Sequence, residues 1–296
     1  MKIFLTGTGS FIGGELLKLC DRRGIQVSGV DMAVVDRPDS VVADIRSPEI
    51  ADLIPQDVDA VVHLAALSRD PDCRDRAHDC FDINVMGTLN LMEAAKRRGA
   101  KQFIFASSEW VYDVFPPGVP KTEDDPINPA LLTSEYALSK LVSECNLRQK
   151  FIHGTCPTTV LRFGIVYGPR AANWSAAESL LNAVGNKNEI SVGALATARG
   201  FIHVTDIAEG ILAALGLPGF EIVNLQGPRS ASLGEVIAVS KSLLGRDPAI
   251  SETAPDKPSI RLVSGEKAAR LIKWRPRIEL HEGLATVASF LGLLPA

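Results

Sequence analysis

A glycine-rich turn between a short strand and a helix constrains the fold of this chain more than any other stretch. Residues 2–6 have the apolar pattern of a buried strand, the turn is Gly7–Gly13, and an amphipathic helix pattern follows to about Arg23. A second strand pattern, Gln26–Val30, ends at Asp31. This strand–helix–strand unit of about 30 residues, with glycines at its first turn and an acid at its end, is typical of dinucleotide-binding proteins.

Each part of this unit has a defined task in holding a dinucleotide. Gly7 permits the tight turn, so that the loop backbone can approach a pyrophosphate, to which the helix N-terminus presents free N–H groups. Asp31 lies 18 residues after Gly13, where its carboxylate can accept both hydroxyls of a ribose and repel a 2′-phosphate. We therefore expect NAD rather than NADP as the cofactor. The alternative is a structural glycine turn beside a solvated Asp31.

Strand and helix patterns continue to alternate beyond this unit. Further strands are predicted at Val41–Ala43, Ala60–Leu64, Gln102–Ala106, Thr158–Phe163 and Glu221–Leu225. A long helix is predicted from Cys80 to Arg98, and another around Tyr136. This alternation predicts an α/β fold built on a doubly wound, Rossmann-like parallel sheet. In such sheets ligands bind at the carboxyl ends of the strands.

The pattern changes after Gly168. We predict a helix with irregular flanks over 169–198, and Asp206 is predicted to cap the helix that follows it. The predicted domains are a dinucleotide-binding domain, 1–168 plus 199–228, and a smaller C-terminal substrate-binding lobe, 169–198 plus 229–296.

Composition excludes several classes of partner. The formal net charge of -4 over 296 residues gives no electrostatic reason to expect nucleic acid or an anionic membrane. No apolar run approaches the ~20 residues that a membrane-spanning helix needs. The five cysteines are odd in number and lack a Cys-x-x-Cys spacing, which predicts reduced thiols and no metal site. We expect a cytoplasmic protein with a small-molecule substrate.

Tyr136 and Lys140 form a candidate acid–base centre. Residues four apart on a helix share one face, so the phenol and the ammonium can point into the same pocket. A phenol ionises only near a pH of about 10, and a fixed cation beside it favours the phenolate. The pair would then work near neutral pH. An ordinary amphipathic helix is the alternative, since the spacing alone is common.

The chain also carries a series of short motifs in a fixed order. They are Gly7–Gly13, Asp31, Asp44-Ile45, His63–Ala66, Asn84–Thr88, Ser107-Ser108, Tyr136 with Lys140, Leu161–Arg170 and Arg199–Val204. Together they resemble the motifs of the extended short-chain dehydrogenase/reductases, also called the NAD-dependent epimerase/dehydratase family of nucleotide-sugar enzymes. The resemblance covers nearly the whole chain.

The resemblance implies roles for individual residues. Tyr136 would be the acid/base at a sugar hydroxyl or ketone, Lys140 would hold the nicotinamide ribose and lower the pKa of Tyr136, and Ser108 would hydrogen-bond the reacting oxygen. Cofactor contacts are implied for Gly7, Ser10, Phe11, Ile12, Gly13, Asp31, Asp44, Ile45, Leu64, Ala65, Ala66, Asn84, Ser107, Tyr136, Lys140, Phe163 and Gly164. Substrate contacts are implied for Ser108, Glu109, Trp110 and Arg199. A surface salt bridge is the alternative for Arg199.

Departures from the family pattern bear on the substrate. Ser10 stands where the family turn usually has glycine. Trp110 stands in the pair of positions that 4,6-dehydratases fill with acids, and an indole cannot act as the base at the sugar C5. Ile165 and Ala254 replace an asparagine and an arginine that contact nucleotide sugars in many epimerases. Because of Trp110 a dehydratase is not expected, and Ile165 and Ala254 leave a sugar without a nucleotide as an alternative substrate.

The resulting expectation is an NAD-dependent epimerase or oxidoreductase that acts on a nucleotide sugar, with hydride transfer at a carbinol or ketone. One alternative is an NAD(P)-dependent reductase or dehydrogenase of a 4-keto-deoxysugar nucleotide or of a sugar without a nucleotide. Another is a non-catalytic NAD-binding sensor, since fold does not determine function. By resemblance, the apolar faces of the helices at 80–98 and 134–150 would form a homodimer; burial within one chain is the alternative.

Overall fold

The computed structural model describes residues Met1–Leu294 and divides the chain into two compact units. The larger unit comprises 1–114, 123–162 and 208–223, and the smaller comprises 115–122, 163–207 and the chain from 224 onward. By packing, 163–168 and 199–207 thus belong to the smaller unit. The division into a cofactor domain and a substrate lobe concerns ligands and stays a prediction.

Strands and helices alternate through both units. The strands are β1 (Lys2–Thr6), β2 (Gln26–Asp31), β3 (Ser40–Val42), β4 (Ala60–His63), β5 (Phe103–Ser108), β6 (Thr158–Phe163), β7 (Ile165–Tyr167), β8 (Glu189–Val192), β9 (Ala198–Arg199), β10 (Phe201–His203), β11 (Phe220–Leu225), β12 (Ala231–Ser232) and β13 (Ala249–Glu252). The helices are α1 (Phe11–Arg23), α2 (Ile50–Leu53), α3 (Asp70–Cys73), α4 (Ala77–Phe81), α5 (Gly87–Arg97), α6 (Glu135–Ile152), α7 (Ala176–Asn186), α8 (Val204–Ala213), α9 (Leu233–Leu244), α10 (Glu266–Leu271) and α11 (Leu280–Phe290). A π-helical turn occupies Asp82–Met86, and 3₁₀ turns occupy Glu109–Val111 and Pro129–Leu131.

A parallel sheet, seven strands wide within residues 1–294, lies at the centre of the fold in the order β11-β6-β5-β4-β1-β2-β3. The first strand pairs in parallel with β2 and β4, so that Thr6 is level with Val30 on one side and His63 on the other. The strand order reverses at β1, because β2 and β3 follow on one side and β4 to β6 on the other. The predicted doubly wound α/β fold is confirmed. Its ligand crevice is expected outside the carboxyl ends of β1 and β4.

The core of the larger unit explains why the strand ends are held firmly. On α5, Leu91 and Met92 are fully buried and belong to the same core cluster as Phe103 and Phe105 of β5. Burying one such side chain stabilises the fold by about 1.5–3 kcal/mol. The ends of the strands therefore offer a rigid platform for polar groups.

The helix predicted from Cys80 to Arg98 is interrupted by the π-helical turn at Asp82–Met86. The wider turn contains Asn84, which is buried and hydrogen-bonds the backbone N–H and C=O of Leu67. Single-turn π segments often occur at functional sites. A pattern of apolar spacing could not show this interruption, because its stabilising contacts are made with a distant loop.

In the smaller unit, α7, α9 and α11 pack around a core that includes Leu181, Val236 and Leu284. The helix predicted over 169–198 is wrong in extent, because only α7 is helical and β8 follows it. The Ser175–Glu178 capping box starts α7, and the alternation of buried and exposed residues in β8 has the period of a strand.

Asp206 does not cap the helix that it was predicted to precede, since α8 already begins at Val204. Its carboxylate instead accepts hydrogen bonds from the backbone N–H groups of Arg277 and Ile278, at 3.0–3.1 Å. A contact across 71 residues of sequence has replaced the local one.

Candidate functional site

The glycine turn is shaped by positions where a side chain would collide with backbone. Gly7 has φ +81°, which favours glycine, and a Cβ there would lie 3.0 Å from the backbone nitrogen of Ala65. A Cβ on Gly13 would lie 2.0 Å from the carbonyl oxygen of Gly7. The turn therefore closes tightly onto the start of α1.

Ser10 occupies the N-cap of α1 and is part of this closure. Its hydroxyl donates to the carbonyl oxygen of Gly7 at 2.7 Å and accepts from the backbone N–H of Gly13 at 3.0 Å. The side chain that departs from the family glycine is thus turned into the loop. It satisfies one N–H of the helix N-terminus, that of Gly13.

Asp31, at the end of β2, has its carboxylate oriented by the backbone. Its Oδ2 accepts from the N–H of Gly9 at 2.8 Å, and its Oδ1 accepts from the N–H of Ala33 at 2.9 Å. Two fixed donors hold the negative charge at the rim of the turn. This is the position from which a carboxylate binds ribose hydroxyls and repels a 2′-phosphate.

A crevice of about 360 Å³ opens beside this carboxylate at the ends of β1, β2 and β4. Predicted cofactor residues that line it are Gly7, Ser10, Asp31, Asp44, Ile45, Leu64, Ala65 and Ala66. Phe11, Ile12 and Gly13 continue from the same turn into α1 but are not part of the lining. The tight backbone, the carboxylate and the apolar walls fit the adenosine half of a dinucleotide.

Arg46 is a crevice residue that sequence reasoning missed. Its guanidinium hydrogen-bonds both oxygens of Asp44 and also reaches Asp82 at 2.6 Å. The hydrogen bonds from Arg46 lower the pKa of Asp44. The only local signal was the Asp44-x-Arg46 spacing, which is common on protein surfaces.

Asn84 acts on the crevice wall through the loop that follows β4. Besides its two bonds to Leu67, which lines the crevice, its side-chain amide donates to Ser139 on α6 at 3.0 Å. The side chain thus ties the wall to the helix of the candidate acid–base centre. A direct cofactor contact by Asn84 stays a prediction.

Tyr136 and Lys140 lie on the same face of α6, and their side chains are near each other. They are 8% and 3% exposed, and the Lys140 Nζ lies 6.0 Å from the centroid of the Tyr136 ring. The same Nζ donates to the carbonyl oxygen of Ala106 at 2.8 Å and lies 4.7 Å from the centroid of the Phe105 ring. The ammonium is therefore fixed against the end of β5.

Burial dominates the electrostatics of this pair. It raises the pKa of Tyr136 to about 12, while a hydrogen bond with Ser108 acts in the opposite direction. It lowers the pKa of Lys140 to about 8. The expected lowering of the Tyr136 pKa by Lys140 is not observed: loss of water around the phenol is the largest influence on that pKa, and Cys73 and Cys80 raise it further. Tyr136 is thus a neutral phenol at neutral pH.

The end of β5 supplies the other polar groups around the phenol. Ser108 also accepts from the backbone N–H of Trp110 at 3.3 Å, and Glu109 is fully buried. The indole of Trp110 packs against a cluster of Tyr136, Cys73 and Cys80. Sequence reasoning gave these cysteines no role, yet they pack in one buried cluster with the candidate acid–base residue.

Comparison with known proteins identifies the family of the chain. The model of the NAD dependent epimerase/dehydratase family matches residues 3–225. The chain belongs to this family. The predicted family, the NAD cofactor and the prediction of an enzyme are therefore confirmed.

Several members of the epimerase/dehydratase family resemble the chain over most of its length. It is 29% identical over 240 residues to the UDP-glucuronate 4-epimerase of Thermodesulfobacterium geofontis, covering 77% of this chain and 70% of that protein. It is 27% identical over 321 residues to the UDP-glucose 4-epimerase of Mycolicibacterium smegmatis, covering 98% of each. The fold matches the Thermus thermophilus UDP-glucose 4-epimerase in complex with NAD, with a TM-score of 0.85, 23% identity and coverage of 99% of this chain and 100% of that one.

Three predicted site residues of this epimerase/dehydratase-family protein lie in the smaller unit. They are Phe163, Gly164 and Arg199. Arg199 donates from Nη1 to the carbonyl oxygen of Ser259 at 2.6 Å and from Nη2 to the Ser259 hydroxyl at 3.1 Å. A Cβ on Gly164 would lie 2.5 Å from the carbonyl oxygen of Gly200. Their roles toward ligands stay predictions.

Residues 1–294 contain neither a candidate metal site nor a candidate membrane-spanning helix. No group of histidine, cysteine or acidic side chains there has the arrangement of a metal site. None of the helices in that range combines the length and the apolar character needed to cross a bilayer.

Proposed function

We propose that the protein is an NAD-dependent epimerase or oxidoreductase that acts on a nucleotide-linked sugar, with Tyr136 as the acid/base at a sugar carbinol or ketone. The observation that carries the proposal is the buried Tyr136, hydrogen-bonded to Ser108 and sharing a helix face with Lys140. A scaffold that only bound NAD would have no need for this costly burial of a cation beside a phenol.

When bound, NAD supplies the acceptor and donor of a hydride at the sugar carbon. Tyr136 exchanges the proton of the reacting oxygen, and its neutral form suits donation to a ketone. In the opposite direction the phenol must lose its proton, a step that the hydrogen bond from Ser108 favours. Lys140 adds a fixed positive charge near the developing phenolate.

The relatives support a UDP-sugar as the substrate, because their names specify UDP-glucose or UDP-glucuronate. Arg199 is proposed as the side chain that binds the diphosphate. A homodimer through the helices at 80–98 and 134–150 is also part of the proposal.

A reductase of a 4-keto sugar is a second candidate. Deoxysugar reductases of the family carry an acid followed by an aromatic at the positions of Glu109 and Trp110, and this resemblance favours the reductase; here Glu109 is buried and Trp110 packs beside Tyr136.

Product analysis separates these reactions. The purified protein is incubated with NAD and with UDP-glucose or UDP-glucuronate, and the products are resolved by chromatography and mass spectrometry. An epimerase produces an isomer of unchanged mass and accumulates no reduced nicotinamide, whereas a dehydrogenase removes two hydrogens and accumulates it. A reductase instead consumes NADH with a 4-keto nucleotide sugar. If none of these sugars is converted and UDP alone does not raise the melting temperature, the proposal of a nucleotide-sugar substrate is wrong.

A further inference from the structure

A buried ion pair lies next to the candidate acid–base centre. The side chains of Glu144 on α6 and Arg162 on β6 are 3% and 4% exposed. Arg162 donates from Nε to Oε1 at 3.1 Å and from Nη2 to Oε2 at 2.7 Å. Its guanidinium carbon also lies 4.9 Å from the centroid of the Tyr112 ring. Such pairs add little net stability, because desolvation offsets their attraction, so their presence calls for another reason.

The Glu144 carboxylate has a third contact, at the end of β5. It accepts a hydrogen bond from the hydroxyl of Ser107, the residue before Ser108. One residue earlier, the carbonyl oxygen of Ala106 accepts from Lys140. The end of β5 is therefore held by two side chains of α6, and Ser108 follows directly.

Tyr136, Lys140 and Glu144 are spaced by four residues, so they form one continuous stripe on α6. We infer that Glu144, held by Arg162, is a positioning residue that aligns Ser108 through Ser107 and presents a buried negative charge on the helix face that carries Lys140. The inference rests on the proposed function only for what it says about turnover. Its electrostatic part concerns Lys140 and does not require a known substrate.

Titratable and aromatic groups from several elements surround Lys140. The groups around it are Tyr136 and Glu144 on its own helix, Cys73 on α3, Cys80 on α4, Phe105 on β5 and His63 on β4. Burial lowers the pKa of His63 to about 3, and that of Cys73 is raised by burial, so both are neutral near pH 7. Burial has the largest effect on the pKa of Lys140 and lowers it; Cys80, Cys73 and, to the least extent of the three, Glu144 raise it.

Two variants separate the effect of the Glu144 charge from the effect of its side-chain length. Glu144→Gln keeps the shape and removes the charge, so the midpoint of Lys140 deprotonation should fall. That midpoint is read from ¹⁵N-lysine NMR spectra, with the signal assigned by its loss in Lys140→Met. The alkaline limb of the kcat/KM profile should move down with it. Glu144→Asp keeps the charge but shortens the arm, so kcat should fall roughly 10- to 100-fold with little change in KM or in the midpoint.

Glu178→Gln is the matched control, since Glu178 is fully buried and paired with Arg170 in the smaller unit. It should lower the melting temperature and leave the Lys140 midpoint as in the wild type. If Glu144→Gln does not fold, Arg162→Lys replaces it: both charges remain and the two-pronged contact is lost, so kcat should fall while the midpoint stays.

A folded Glu144→Gln protein with an unchanged Lys140 midpoint overturns the electrostatic part. Glu144→Asp or Arg162→Lys with wild-type kcat overturns the positioning part. Absence of turnover with every nucleotide sugar is a different result: it contradicts the proposed function, while the NMR midpoint still tests the role of Glu144.

Discussion

The glycine crevice and the face of α6 that carries Tyr136, Lys140 and Glu144 are both polar sites at the ends of strands, yet they are built in different ways. At the crevice, backbone N–H groups of Gly9 and Ala33 orient one partly exposed carboxylate, Asp31. On α6, the charges of Lys140 and Glu144 are buried and are held by side chains and by the end of β5. The crevice uses geometry that local sequence determines, whereas the α6 face uses charges whose strength depends on burial.

The two regions should also tolerate change differently. Charges at the crevice are screened by solvent, so substitutions there act mainly through shape and through direct contact with a ligand. Charges on α6 interact in a medium of low dielectric constant, so removing one changes the protonation of the others. A substitution in one region should therefore leave the chemistry of the other nearly intact.

The largest expected effect is on α6. Tyr136→Phe removes the proton-transfer group, so kcat should fall by roughly 10²- to 10⁴-fold, while the dissociation constant of NAD, measured by calorimetry, should stay within about twofold. Tyr167→Phe, at another buried tyrosine, is the control and should keep wild-type kcat. Comparable loss of NAD binding in Tyr136→Phe would show that the two regions are not separable.

An intermediate effect is expected at the glycine turn. In Gly13→Ala the new Cβ would lie 2.0 Å from the carbonyl oxygen of Gly7, so overpacking should lower the free energy of unfolding by about 1–3 kcal/mol and abolish the thermal shift caused by NAD. The next residue provides the control: nothing lies within 4 Å of a Cβ added to Gly14. Gly14→Ala should bind NAD normally and be as stable as the wild type or more so. Urea denaturation and thermal shift measure both; equal behaviour of the two variants contradicts the prediction.

The smallest effect tests the charge at the rim. Asp31→Asn keeps the shape of the side chain and removes its repulsion of a 2′-phosphate, so the preference for NAD over NADP should fall about tenfold, or about 1.4 kcal/mol. Titration calorimetry with each cofactor measures the ratio. Asp36→Asn, at a nearby exposed acid, should leave the ratio unchanged. An unaltered ratio in Asp31→Asn would mean that the charge has no part in cofactor choice.

Sequence patterns located the strands well, because strands buried on both faces appear as short apolar runs between glycines and acids. Strand β6 has the predicted bounds, and β11 begins one residue earlier than predicted. Two local predictions failed where distant partners compete with local preference. Asn84 widens its helix to reach Leu67, and β8 pairs with β13, about 60 residues further along the chain.

The candidate site divides in the same way. The lining of the crevice was predictable from the turn, from Asp31 and from residues after β4, because these motifs lie next to the strands that carry them. Arg46 and the cysteines that pack with Tyr136 were not predictable, because their spacing in the sequence is common and gives no sign of these contacts. The spacing of Glu144, four residues after Lys140, could be read from the sequence. Its partner Arg162 could not, because Arg162 lies on strand β6.

The amino-acid order by itself determined the α/β sheet, the glycine turn, the acid at the end of β2 and the alignment of Tyr136 with Lys140. These follow from backbone conformation and from the periodicity of helices and strands, which act over a few residues. The tertiary structure alone decided that burial raises the pKa of Tyr136 to about 12 and lowers that of Lys140 to about 8, and that Glu144 lies between Ser107 and Arg162. The reason is that proton affinities depend on the exclusion of water and on charges that are brought together only when the chain has folded.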